Sequence, residues 1–431
     1  MAATANQEAY RQIIRALSDR IVEAQRPIRI LDAIKWDTSV QDGFFAAGAR
    51  EQPPVDVEYY RKRPLGFDAV AKRKEFHDID REVTRRLGQF NPLAVLMRRM
   101  CDEYQNVVRM LEARGTPEFS QISEDLYGAA SDVFHAGDPT LADLGVMMTE
   151  ALENIDDSMM LPDDEKTISG KEAVSILKQR LDAAFPDVKG GVRVILSDGI
   201  LADAAAGSDY LKIRKEARFN ERDLRVLEVH EGWVHIGTTL NGQEQPVCTF
   251  LGKGPPSSTV TQEGLAIIVE IISFASYPAR LRRLTNRIRA IDMAEQGATF
   301  LDVYRYFLEQ GYSEGESYGH ASRIFRGSLP DAGPFTKDLA YSKGFILIYN
   351  FIRLAVRNGK LDRIPLLFCG KTTLEDLKTL SQLVEEGLVS KPRFLPPQFR
   401  DLNALTAWMC YSNFLNRLSL QKIEVDYANI L

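Results

Sequence analysis

The sequence predicts an α+β fold that is predominantly helical, with a small sheet and a large helical N-terminal region. Three observations predict it. Apolar residues recur at helical spacing over residues 10–160, as in Leu93, Leu96, Met97, Met100, Tyr104, Val107, Val108 and Leu111. Only residues 192–196 and 210–219 read as strands, the second alternating Leu211 and Ile213 with Lys212 and Arg214. From Glu221 onward the spacing is helical again.

Taken in order, the polar stretch 161–167 interrupts the periodicity and divides a helical region, 1–162, from a second region, 163–431. Residues 170–185 form the next helix, ended by Pro186 and the Gly190-Gly191 pair. The two strands follow and are expected to pair as neighbours. Helices then cover 221–240, 262–276, 279–293, 300–309, 317–325, 337–356, 374–386 and 402–415. No internal repeat or low-complexity tract stands out.

The 431 residues are 45% hydrophobic and 26% charged, the balance of a soluble globular protein. A formal net charge of -6 and a pI near 5.6 give no footprint for nucleic acid or anionic membrane. The Arg282-Arg283 pair leaves a local binding patch open, but a solvated helix face explains it more simply. Four scattered cysteines (Cys101, Cys248, Cys369, Cys410) have no CxxC spacing, which argues against a disulfide framework or a sulfur-ligated metal. No apolar h-region lies in residues 1–20, and no apolar run reaches the roughly eighteen residues of a membrane span. A cytoplasmic protein is expected, with neither nucleic acid nor membrane as partner.

The chemistry concentrates in the helix that opens at Asn220, an N-capping residue followed by two acids in the first turn. It carries His230-Glu231-Gly232-Trp233-Val234-His235. In HExxH metallopeptidases the histidines, at i and i+4, share a face, and the glutamate activates the water on the metal. Here one residue intervenes in excess. On a regular α-helix, positions i and i+5 diverge by about 140°. A π-turn would restore convergence, and Gly232 lowers the resistance to it.

Catalytic zinc usually has three protein ligands and an open position. Glu263, in Thr261-Gln-Glu-Gly-Leu-Ala266, opens an almost wholly apolar and therefore buried helix and is the candidate third ligand. Glu270, seven residues on, shares its face and is placed to orient a ligating histidine. His77, His135 and His320 stand alone and read as ordinary surface or core residues.

Together, His230-Glu-Gly-Trp-Val-His235 and Thr261-Gln-Glu-Gly-Leu-Ala266 resemble the QEGLA-motif family of flavohaemoglobin expression-modulating proteins, which is related to the microtubule-associated tyrosine carboxypeptidases. The resemblance extends to Ile34-Lys-Trp-Asp37, Phe119-Ser-Gln-Ile-Ser-Glu-Asp-Leu-Tyr127, Arg326-Gly327, Phe335-Thr-Lys-Asp-Leu-Ala-Tyr341 and Leu367-Phe-Cys-Gly-Lys-Thr372. It implies a zincin-like metallopeptidase core, Zn2+ on His230, His235 and Glu263, Glu231 as base, and a carboxypeptidase that trims aromatic C-terminal residues from peptides or proteins. Lacking a basic extension, the chain is not expected to act on tubulin.

A peptidase also needs an oxyanion donor, for which Tyr341, Arg326 and His320 are candidates. A terminal carboxylate needs a basic partner, for which Arg214, Arg326 and Lys337 are candidates. The strand at 210–219 is expected to receive the peptide by β-addition at a sheet edge. Two other readings compete: a regulatory or binding protein that keeps the fold without turnover, and a zinc hydrolase of a non-peptide amide or ester. Intact Glu231 argues against the first, since a purely structural zinc site has no use for a base.

Overall fold

The computed structural model describes residues 2–153, 155, 165–198, 200, 202–207, 209–419, 422 and 427. The boundary expected at 162/163 lies outside the described residues. The N-terminal region is helical, as its periodicity requires. In Pro92–Glu112 the Asn91 side chain accepts the Leu93 and Ala94 N–H groups, and Leu93, Met97, Met100, Tyr104, Val108 and Leu111 are buried. Its core continues into the second half: Leu17, Phe76 and Met97 share one apolar cluster with Val229, Val234, Leu265, Val269 and Ile348. The N-terminal helices thus back the helices that carry the motifs.

The described residues hold five short strands: β1 (Ile168–Ser169), β2 (Arg193–Ser197), β3 (Ala204–Ala206), β4 (Tyr210–Arg214) and β5 (Arg218–Phe219). β1 pairs with β5, and the others form a sheet of order β2-β4-β3. The two strands read from the sequence do pair, in parallel, with Arg193 opposite Tyr210 and Ser197 opposite Arg214. The expected sheet edge at 210–219 is corrected: β4 is central, and β3 forms the edge beside it. Leu211, Ile213 and Val194 pack with Leu177 and Leu181 of the Gly170–Ala184 helix, so one sheet face is a small core of its own.

Helix occupies every later range expected, with ends shifted by about a turn. Four helices position the site. The histidine helix runs from Glu221 through Gln243. The glutamate helix is Ser258–Ile272, and it ends before Phe274, whose φ of 52° cannot continue a right-handed helix. The arginine helix is Pro278–Glu295. The tyrosine helix, Ala340–Arg357, follows a 3-10 turn, Thr336–Leu339. By length and composition this last helix could cross a membrane. Here it packs on the glutamate helix and, through Tyr349 and Trp408, on Leu402–Leu415.

Two glycines set how closely the glutamate and tyrosine helices cross. A Cβ on Gly264 would lie 2.1 Å from the Gly344 carbonyl carbon, and one on Gly344 would lie 2.0 Å from the Val260 oxygen. Backbone therefore touches backbone, immediately beside Glu263.

Candidate metal centre

The histidine helix begins with a reciprocal cap: Asn220 Oδ1 accepts the Asp223 N–H at 2.8 Å, and Asp223 Oδ2 accepts the Asn220 N–H at 3.2 Å. After Glu221–Leu227 the backbone widens into a π-helix over Glu228–Ile236, then returns to α at Gly237–Gln243. The whole motif lies in the widened segment, where residues five apart share a face. The His230 and His235 rings accordingly stand 4.8 Å apart between centroids, at 84° to one another. Gly232 also makes room, since a Cβ there would lie 2.3 Å from Leu181 Cδ2.

Glu263 meets them from the glutamate helix. Its Oε2 is 3.2 Å from His230 Nε2 and 3.4 Å from His235 Nε2, and one ligand atom from each of the three residues falls within 4.8 Å of the others. This group could hold a metal ion. Lys337 Nζ stands 3.5 Å from Glu263 Oε1. Burial opposes charge on Glu263, but Lys337 and the two imidazoles outweigh it and hold the carboxyl well below its usual range.

Glu270 is fully buried, with Oε1 2.6 Å from His230 Nδ1 and 3.0 Å from Arg280 Nη2. Burial is again overcome, by Arg280 and then His230, and the Glu270 pKa falls to about 2. An Nδ1–H donated to Glu270 leaves the His230 Nε2 lone pair facing the Glu263 side. Burial pulls His230 down, but Glu263 and Glu270 push it up further, to about 9. The paired carboxylates favour positive charge here, which a proton or a metal ion would supply.

Glu231 and His230 line a cavity of about 350 Å³. Glu231 Oε2 accepts the Ala206 N–H of β3 at 3.1 Å, so the sheet edge aims the carboxylate. Five arginines line the same cavity: Arg214 of β4, and, forming one wall, Arg280, Arg283 and Arg287 of the arginine helix with Arg323. Arg323 donates to both oxygens of Asp338, at 2.9 and 3.0 Å, and Arg287 comes within 3.7 Å of the same carboxylate. The Nε groups of Arg283 and Arg287 have no hydrogen-bond partner. Burial, then the neighbouring Arg323, lowers Arg287 to about 10. Basic side chains outnumber carboxylates along the cavity lining, so an entering anion would meet net positive charge.

The remaining sequence candidates fall in different places. Tyr341 lines the cavity, its ring near parallel to His230 at 6.1 Å. Arg214 lines it as well but is paired with Asp203 at 2.5 Å. Arg326 is buried with its guanidinium over Phe335 and is not among the cavity-lining residues. Lys337 joins the ligand cluster rather than the arginine wall. His320 lines the cavity between Phe307 and Tyr312, and burial with the surrounding arginines lowers it to about 3, which keeps it neutral.

The arginine wall is what sequence reasoning missed. Reading Arg283 as part of a solvated face is corrected by its place in the cavity. The available signal was the spacing of Arg280, Arg283 and Arg287, which puts them along one side of a helix whose Leu284, Ile288 and Ile291 are buried. Ala206 left no signal, because it acts through its backbone. Among known proteins, the family model described as microtubule-associated tyrosine carboxypeptidase matches residues 42–417. No curated protein matches the chain.

Proposed function

The chain belongs to the microtubule-associated tyrosine carboxypeptidase family, and on that premise we propose that it is a zinc-dependent carboxypeptidase that removes an aromatic last residue from peptides or proteins. One observation carries the metal assignment. Two atoms bound at about 2.05 Å to a tetrahedral zinc lie about 3.3 Å apart, and Glu263 Oε2 lies 3.2 and 3.4 Å from the two histidine Nε2 atoms. His230, His235 and Glu263 would hold the ion, and Glu270 would keep His230 in the ligating tautomer. When bound, zinc would supply a Lewis acid and lower the pKa of a water to about 7.

The rest is done by the chain's own side chains. Glu231, held by the Ala206 N–H, takes the proton of the attacking water and passes it to the leaving amine. Tyr341, whose phenol burial and Glu263 keep protonated, donates to the substrate carbonyl oxygen as charge develops there. Arg287, with Arg283 beside it, receives the terminal carboxylate, the role first sought in Arg214, Arg326 and Lys337. Lys337 instead balances the charge of Glu263. Edge strand β3 offers backbone alongside Glu231 for an extended peptide. A small sheet whose edge lies against the histidine helix supports a zincin-like core.

Two peptides of one sequence ending in tyrosine test this, one a free acid and the other a C-terminal amide. Mass spectrometry should show release of tyrosine from the acid alone. Glu231→Gln should retain zinc while turnover falls by roughly two to four orders of magnitude. Equal cleavage of both peptides, or cleavage only at internal bonds, would rule out a carboxypeptidase.

A further inference from the structure

Gln262 and Lys371 lie in two of the sequence motifs singled out above, yet neither has a part in the reaction just described. Lys371 Nζ is 3.0 Å from the His235 carbonyl oxygen, 3.0 Å from Thr238 Oγ1 and 2.8 Å from Gln262 Oε1. The amino group thus meets three oxygen acceptors at hydrogen-bond distance. Two of them belong to the histidine helix, one being the carbonyl of a candidate ligand. The third is the side chain next to Glu263 in sequence. We propose that Lys371 is a positioning residue: its amino group bridges the two ligand-bearing helices and fixes the distance at which His235 and Glu263 face each other. The proposal rests on the metal assignment made above.

The bridge has structure of its own on both sides. Thr238 Oγ1 lies 2.7 Å from both the Val234 oxygen and Gln262 Oε1, and Gln262 Nε2 reaches the Gly370 oxygen at 3.5 Å. The Thr239 hydroxyl donates to the His235 carbonyl at 2.7 Å. Thr238 Oγ1 is 3.2 Å from the same oxygen, so three side chains converge on that carbonyl, where the π-helix gives way to α.

The lysine also stands on a fixed base. Its own N–H donates to the Leu251 oxygen at 2.7 Å. Gly254, at φ 64°, approaches so closely that a Cβ would lie 2.4 Å from Lys371 Cβ. Asn241, near the end of the histidine helix, donates to the Phe368 and Phe394 oxygens at 2.8 and 2.7 Å. The loop that carries Lys371 is therefore tied to the helix it braces, and the lysine side chain acts as a spacer of set length.

Chelator competition on the purified chain tests this, with zinc affinity as the readout and the d–d spectrum of the cobalt-substituted protein as a second. Lys371→Met should weaken zinc binding by about ten- to a hundredfold, the range for groups that orient ligands, and alter the cobalt spectrum. Gln262→Leu should do the same, whereas Gln262→Glu, which keeps the acceptor, should stay near the parent. The double variant Lys371→Met/Gln262→Leu should be no weaker than the worse single, because both remove one bridge. Parent-like zinc affinity and cobalt spectrum in Lys371→Met would overturn the proposal and leave the metal site standing. If that variant does not fold, the same result in Gln262→Leu overturns it. A parent chain that binds no zinc would overturn the proposal together with its premise.

Discussion

Replacing Gly264 by alanine puts a methyl group where the backbone of a second helix already lies. The new Cβ would sit 2.1 Å from the Gly344 carbonyl carbon, 2.3 Å from its oxygen and 2.5 Å from its Cα. Carbon atoms rest at about 3.5–4.0 Å, so the helices must part locally by more than about 1 Å. No flexible side chain stands at the contact to yield. Overpacking of a filled core costs about 1–3 kcal/mol, and a backbone-on-backbone clash belongs at the upper end. Alanine's better helix propensity returns about 0.5–1 kcal/mol, for a net loss of about 2 kcal/mol. Because Glu263 precedes the glycine and Tyr341 lies one turn before Gly344, zinc affinity should fall as well. Urea denaturation with and without chelator measures both effects. Gly319→Ala is the control, the same chemical change in the middle of a helix with nothing within 4 Å of the new methyl, and it should stabilise by about 0.5–1 kcal/mol. If the two variants are equally stable, and Gly264→Ala binds zinc like the parent, the reasoning about the helix crossing is wrong.

Arg287→Met should raise KM for a free-acid peptide about ten- to a hundredfold, the weight of a charge-assisted hydrogen bond, with kcat less affected; an unchanged KM would remove Arg287 from the carboxylate site. Glu270→Leu leaves Arg280 buried without its carboxylate and should cost about 3–5 kcal/mol in urea denaturation, with zinc affinity down about ten- to a hundredfold by chelator competition. Glu295 is pushed up to about 7 from 4.5, by burial and by Glu124 and Asp292, against the Ala130 N–H it accepts. The unfolded chain therefore loses this proton first, and stability declines as pH rises from about 4.5 to about 7. Glu295→Gln keeps an acceptor for that N–H but cannot ionise, so it should stabilise by about 1–2 kcal/mol at pH 8, after discounting for partial exposure, and by nothing at pH 4.5; an equal gain at both pH values would contradict this.

How far the sequence could be read depended on whether the physics was local. Asn220 and Asp223 announced a helix start by their spacing alone, and the histidine spacing demanded the π-turn that Glu228–Ile236 adopts. Glu263 and Glu270 were legible because a carboxylate on an all-apolar helix requires a partner. β3 was not legible: three alanines carry no strand preference, and only its position beside β4 makes it an edge. For the same reason the sheet edge was sought one strand away. The arginine wall was hidden differently, since Arg280, Arg283 and Arg287 have the composition of a solvated face. Burial of that face depends on the later segment that brings Asp338, Arg323 and Tyr341 against it, a contact no local pattern encodes.

The most direct test of the account is to strip the purified chain with chelator and titrate zinc back while following release of the last residue from a tyrosine-ending peptide. The account predicts no release from the stripped chain, recovery in proportion to added zinc, and saturation at one equivalent per chain. Replacing His230, His235 or Glu263 by alanine should prevent that recovery. Release that persists in the stripped chain, or that recovers with none of these three residues needed, would contradict the assignment of the metal centre and the mechanism built on it.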